Sequence, residues 1–347
     1  MTDWTGPALR LFAQSQVIST RIYWLLGVVI GVLVIAYVIG WLLKRYPESS
    51  LNPALIERFN NRIRVLWLMC AILVAGFLLG RTPTVVLFGL ISFWALREFI
   101  TMTPTRRGDH RALFWVFFVF TPAQYVLVGL SQSPNIDLYG LYSVAIPVYA
   151  FLYIPARIAF WGDHKRFLER SAKIQAGLFI CVYCLSYAPA LLNLELVTSK
   201  GERWRDVVFH LPNAGLLFYF FLIVQLEDVL QSVWSRLAGR RVIAPAINAS
   251  RTWEGFMGGV ASATLIGALL WWATPFRPWE AACMSMIIAV TGFAGSMVMS
   301  AIKRDRGVAD YGTLVQGHAG VLDRIDSICF AAPVFFHLTR YFFSDVS

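Results

Sequence analysis

Long apolar runs recur along this chain, and they constrain its fold more than any other feature. An α-helix needs about 20 such residues to cross a bilayer, and helices satisfy their own backbone groups there. The runs fall at 22–43, 65–80, 83–100, 113–130, 138–160, 174–192, 211–226, 256–276, 281–300 and 327–343. They predict an all-α polytopic membrane protein with about ten transmembrane helices. Composition agrees. The chain is 58% hydrophobic and only 14% charged, with a mean hydropathy of +0.61, where a soluble domain is about a quarter charged.

The net charge of +10 raises nucleic acid as a partner. The basic residues, however, concentrate in one alternating set of loops, which is the pattern of cytoplasmic loops in membrane proteins. Lys44, Arg45, Arg58, Arg62 and Arg64 lie in one such loop, and Lys165, Arg166, Arg170 and Lys173 in another. This reading excludes nucleic acid. It places the odd-to-even loops in the cytoplasm and both termini outside, as expected for a multi-pass protein of a bacterial inner membrane. Of five cysteines, Cys181 and Cys184 have redox or zinc spacing. They sit in an apolar run without a second ligand pair, so they read as lipid-facing or packing sulfur.

Polarity divides the chain into an N-terminal transmembrane scaffold, 1–210, and a C-terminal catalytic region, 211–347. In the scaffold, Glu98 stands beside Arg97 at the end of the third run. It reads as an interfacial ion pair, with a reach to a partner helix as the alternative. Arg106, Arg107 and Arg111 suit either anionic lipid headgroups or topology alone.

Three polar patches mark the catalytic region, all on the inner side. The first is Glu227-Asp228, closing the seventh run. The second is Asn248-Ala249-Ser250-Arg251-Thr252-Trp253-Glu254-Gly255, entering the eighth. A helix start with Arg and Thr suits phosphate oxygens, or a capping turn, and Gly258 and Gly259 behind it suit close helix packing. The third, 300–327, holds eight charged residues and His318. If the ninth helix continues through Arg304, then Ser300, Lys303 and Arg304 share one face. Asp323 and Asp326, three apart, share a face of the next helix and suit Mg²⁺, with Arg324 between them available to a carboxylate or a phosphate. Acidic ligands, cations and a glycine turn in one cytoplasmic pocket equip it for phosphoryl or nucleotidyl transfer.

The order Ser300-x-x-Lys303-Arg304, Asp310, Gly317-His318-x-Gly320-x-x-Asp323-Arg324-x-Asp326-Ser327 resembles the signature of phosphatidate cytidylyltransferases, the CDP-diacylglycerol synthases. Thr252-Trp253-Glu254-Gly255 resembles a second motif of that family, and Asp228 falls where the family has an aspartate. The resemblance covers roughly residues 225–330. It implies transfer of CMP from CTP to phosphatidate with Mg²⁺, and a second cation besides. By resemblance, Asp323, Asp326 and Asp228 hold metal. Lys303, Arg304, Arg324 and Arg251 neutralise phosphates, and Ser300, Asn248, Thr252, His318 and Asp310 complete the substrate-binding set. The expected partners are CTP, a lipid phosphate, membrane lipids and a second copy in a homodimer. The chain departs from the family pattern at Ala309, where the family has lysine. It departs again at Ser296, where the family has a metal-binding aspartate. Two other readings stay open: a CTP-dependent polyprenol or phytol kinase, and a catalytically silent lipid- or nucleotide-binding relative or transporter.

Overall fold

The computed structural model describes residues 70–102, 105–131, 138–162, 164–197, 211–307 and 320–344, with isolated positions 27, 30, 31, 34, 38, 67, 204, 207 and 208. Most of the first apolar run, and Asp310, Gly317 and His318, lie outside the described residues.

Helices α1 (Cys70–Leu79), α2 (Arg81–Thr101), α3 (His110–Leu130), α4 (Tyr139–Ala159) and α5 (Phe167–Asn193) form the first half. A two-stranded hairpin follows, β1 (Val207–Val208) and β2 (Leu211–Pro212). Then come α6 (Ala214–Leu237), a second hairpin of β3 (Val242–Ala244) and β4 (Asn248–Thr252), α7 (Trp253–Leu269), α8 (Pro278–Asp305) and α9 (Leu322–Phe343). Among the described residues, six helices are long and apolar enough to cross a membrane: α2, α3, α4, α5, α6 and α8. The protein is therefore an integral membrane protein. The expected all-α class gains two small antiparallel hairpins. The second is the more consequential, because it carries Asn248 and Arg251.

Two boundaries differ from the sequence reading for physical reasons. The break between α1 and α2 lies at Gly80 rather than at Arg81-Thr82. Gly80 takes φ +104°, a left-handed conformation that glycine adopts without a Cβ penalty. The seventh apolar run does not end at position 226. Its helix continues to Leu237, because Val229, Leu230, Val233, Trp234 and Leu237 keep apolar groups between the polar ones. Glu227 and Asp228 are therefore mid-helix.

Helix α5 is the most buried of the six, and α9 packs against it and against α2. Cys181 and Cys184 are buried free thiols, so the packing reading is correct. Helices α3, α4 and α5 each contain a π-helical segment, at Val116–Phe120, Ala145–Ala150 and Phe179–Cys184. These wider turns disturb the regular hydrogen-bond ladder. In α3 the Val116 carbonyl accepts both the Thr121 N–H and the Thr121 hydroxyl, the latter 2.7 Å away. At the start of α3, buried Asp109 pairs with buried Arg170 of α5 at 2.8 Å. Arg170 is thus a structural ion-pair partner as well as a topological charge.

In the second half, α6, α7 and α8 are drawn together by small residues. Gly255, Gly259, Ala263 and Gly267 form a buried stripe at every fourth position of α7. A Cβ on Gly259 would lie 2.8 Å from Gln231 Cβ and 2.9 Å from its Cα, and one on Gly258 would lie 2.4 Å from the Trp234 ring. The packing reading of these two glycines is thereby supported. Buried Tyr219 of α6 reaches Ser285 Oγ at 2.5 Å and donates towards the Ala281 carbonyl at 3.2 Å. Phe220 stacks on Phe335 of α9, with ring centroids 5.3 Å apart. Gly259→Leu forces α7 away from α6 against the Gln231 backbone. Overpacking of this kind costs about 1–3 kcal/mol. The thermal midpoint in detergent is expected to fall accordingly, whereas Gly→Leu at exposed Gly140, with no atom within 4 Å of its Cβ position, leaves it unchanged.

Candidate active site

The site forms where the C-terminal parts of α6 and α8 and the first turns of α9 meet the second hairpin. Helix α6 supplies Glu227, Asp228, Gln231 and Ser235, whose spacing places them along one helical side. Glu227 is 1% exposed and Gln231 fully buried. Such groups in an apolar bundle need partners close by. The hairpin brings them.

Within that hairpin Asn248 Oδ1 accepts hydrogen bonds from the Ser250 N–H (3.1 Å) and hydroxyl (2.7 Å), a local turn typical of asparagine. The strand then turns into α7, with the Thr252 hydroxyl as N-cap, accepting from the Gly255 N–H at 3.1 Å. Thr252 also donates to Ser235 Oγ at 3.0 Å. Of the two readings of this stretch, the structure gives Thr252 the capping one. Arg251 points back to α6. Its guanidinium meets Asp228 Oδ1 at 2.7 Å and Gln231 Oε1, and lies 5.6 Å from the Phe293 ring centre. Burial opposes its charge. The carboxylates of Asp228, Glu227 and Asp326 together outweigh that and hold its pKa above the usual arginine value.

Helix α8 remains helical to Asp305, so Ser300, Lys303 and Arg304 do share a side, as their spacing predicts. Gly307 ends it with φ +69°. Lys303 Nζ reaches Asp323 Oδ1 of α9 at 2.8 Å, with both side chains largely buried. Arg304 Nε donates to the Ile247 carbonyl at 3.1 Å, and Asn248 Nδ2 to Ser300 Oγ at 3.4 Å, so the hairpin is docked on α8. Asp323, Arg324 and Asp326 all lie in the first turns of α9. Asp326 accepts from its neighbour's N–H, Ser327, at 2.7 Å. It also interacts electrostatically with Asp228, Arg251 and Asp323. Ser296, about two-thirds of the way along α8, is buried and donates to the Phe293 carbonyl at 3.0 Å.

The three patches read separately along the sequence are therefore one assembly. Four carboxylates, Glu227, Asp228, Asp323 and Asp326, interleave with Arg251, Lys303 and Arg304. Among the described residues, no three His, Cys, Asp or Glu groups stand ready around a single ion. The donor set is still all oxygen. It suits Mg²⁺, which takes one or two carboxylates and completes its shell with water and substrate phosphates. The sequence reading ends this helix at position 226 and so omits Gln231 and Ser235. The signal was there, since Gln231 stands four residues after Glu227 and Ser235 four after Gln231.

Over residues 60–342 the chain matches the model of the cytidylyltransferase family. It belongs to that family. Membership places it among nucleotidyltransferases that transfer CMP from CTP. The chain is 34% identical to the uncharacterized protein YnbB of Escherichia coli (strain K12) over 324 residues, 91% of this chain and 97% of YnbB. It is 24% identical to the phosphatidate cytidylyltransferase of Staphylococcus haemolyticus over 283 residues, 79% of this chain and 96% of that protein. Over a shorter stretch of 120 residues, 34% of this chain and 46% of the relative, it is 32% identical to the phosphatidate cytidylyltransferase of Staphylococcus saprophyticus.

Arg251→Met removes a charge-assisted contact and leaves Asp228 and Glu227 under-compensated, an expected loss of about 1.5–3 kcal/mol. Adding Asp228→Asn in the same chain is expected to recover part of it. Unfolding of the wild type, both single variants and the double variant measures the coupling. Strictly additive losses would contradict the pairing.

Proposed function

We propose that the protein transfers CMP from CTP to phosphatidate or a similar lipid phosphate, forming CDP-diacylglycerol and pyrophosphate in phospholipid biosynthesis. The observation that carries this reading is the convergence of Arg251, Lys303 and Arg304 with Asp228, Asp323 and Asp326 at one end of a membrane bundle. The names of the Staphylococcus relatives supply the lipid acceptor as a working choice.

The chemistry sets modest demands. A phosphate monoester is already an anionic nucleophile, so no strong general base is required. Its oxygen attacks the α-phosphorus of CTP, the bond from that phosphorus to the bridging oxygen breaks, and pyrophosphate leaves. The obstacle is repulsion between two polyanions. Lys303, Arg304, Arg251 and Arg324 neutralise phosphate oxygens, and Asn248 and Ser300 hydrogen-bond the substrates. His318 and Asp310, on the segment between α8 and α9, orient phosphate. Asp323 and Asp326, with Asp228, would hold Mg²⁺ and any second cation. When bound, the metal neutralises developing charge on the triphosphate. Substrate entry pulls Lys303 and Arg251 from carboxylate towards phosphate, so these internal pairs keep the site compensated between turnovers. The reading puts the site on the cytoplasmic face, where CTP is available.

Ser296 favours a second reading, a silent lipid- or nucleotide-binding relative. Its neutral hydroxyl is engaged by its own helix, and it adds no charge to the metal site.

Purified protein given CTP, Mg²⁺ and a panel of lipid phosphates is expected to yield CDP-lipid and pyrophosphate. Asp323→Asn and Lys303→Ala are each expected to lower the rate by about 10²–10³-fold while the protein stays folded. CDP with a newly phosphorylated alcohol would make it a lipid kinase. No product from the wild type, with turnover gained in Ser296→Asp, would establish the silent reading.

A further inference from the structure

Helix α9 begins without a capping side chain of its own. The residue at its N-cap, Val321, has no polar group to offer. The first backbone N–H groups of any helix lack intrahelical partners and are ordinarily satisfied by a nearby Ser, Thr, Asp or Asn. Here the partner comes from the other half of the chain. Glu98, near the end of α2, accepts the Val321 N–H through Oε1 at 3.0 Å and the Leu322 N–H through Oε2 at 2.8 Å. Those bonds span 223 and 224 residues of sequence. Trp94 Nε1, one turn back on α2, donates to Glu98 Oε1 at 3.1 Å and fixes the carboxylate. Arg97 turns to the Trp94 ring, 5.2 Å away, so the expected Arg97–Glu98 ion pair gives way to the alternative, a reach to another helix. A carboxylate with two N–H donors at the positive end of a helix dipole is a favourable arrangement, and it is specific in geometry.

Its place gives it significance. The residue after Leu322 is Asp323, whose carboxylate pairs with Lys303. The clamp holds the backbone on which Asp323 is carried. Asp326 lies one turn further in, between buried Ile325 and Ser327, and accepts from the Ser327 N–H.

We propose that Glu98 is a positioning residue of the transferase. It clamps the first turn of α9 and so sets the Asp323 carboxylate for the divalent cation, making the N-terminal helices a working part of the site rather than a scaffold alone. This rests on the proposed metal role of Asp323.

Glu98→Ala and Glu98→Gln, purified in detergent, test it. Three quantities are read: Mn²⁺ binding by electron paramagnetic resonance, hydrogen exchange of the peptide containing 320–326, and CMP transfer against Mg²⁺ concentration. Glu98→Ala is expected to weaken Mn²⁺ binding and raise the half-saturating Mg²⁺ concentration by on the order of tenfold, as loss of an outer-shell partner does. The KM for the lipid phosphate stays unchanged. Exchange quickens at 321–323 and not in the α5 or α6 peptides. Glu98→Gln, which keeps an acceptor oxygen but no charge, falls between and serves if the alanine variant does not fold. Wild-type Mn²⁺ affinity and exchange in both variants would overturn the inference, as would faster exchange spread over every helix. Should the wild type transfer no CMP and bind no Mn²⁺, the proposed function fails. The clamp is then judged by exchange at 321–323 alone.

Discussion

Charge placed among apolar helices has to be compensated where it lies, because no water is at hand to do it. The second half of this protein is organised around that requirement. Asp228 on α6 faces Arg251 on the hairpin, and Asp323 on α9 faces Lys303 on α8. Each pair joins two elements, so the two cannot part without leaving a charge unpaired. The same rule governs the first half, where Asp109 and Arg170 tie α3 to α5. On the proposed function, stability and readiness for a polyanionic substrate come from the same contacts, since a guanidinium or ammonium group that holds a carboxylate can also meet a phosphate.

Close approach is the other condition. The Asp228–Arg251 pair forms where α7 lies near enough to α6 for the hairpin between them to fold back on the bundle. Gly255, Gly258 and Gly259 permit that approach, and the Thr252 cap fixes the angle at which α7 leaves the hairpin. Remote backbone details therefore determine where Arg251 points. Glu98 extends the logic across the chain, linking the end of α2 to the start of the helix that carries Asp323 and Asp326.

Much of this was legible in the sequence. Among the described residues the apolar runs mark where helices lie, and the i, i+3 and i, i+4 spacings of Ser300, Lys303, Arg304, Asp323 and Asp326 fall on helices α8 and α9. What the sequence hid was mostly long-range or local in backbone. The β3–β4 hairpin is short, with an apolar first strand and a polar second one, and it reads as loop until Arg304 and Ser300 are seen to hold it. The clamp on α9 was hidden because a carboxylate bound to backbone N–H groups leaves no trace in residue type at the far end. Val321 and Leu322 look like ordinary core residues. Helix α6 was cut short because two adjacent acids resemble a membrane boundary, although the apolar residues beyond them continue its period.

The central claim is that the hairpin and α8 present their cations to a single triphosphate. Calorimetric titration of CTP in the presence of Mg²⁺ tests it most directly, on the wild type and on Arg251→Ala, Lys303→Ala and Arg304→Ala. Loss of one charge-assisted contact corresponds to about 10–100-fold in affinity. The account predicts a weakening of that order in all three folded variants. Wild-type affinity for CTP in all of them would contradict it.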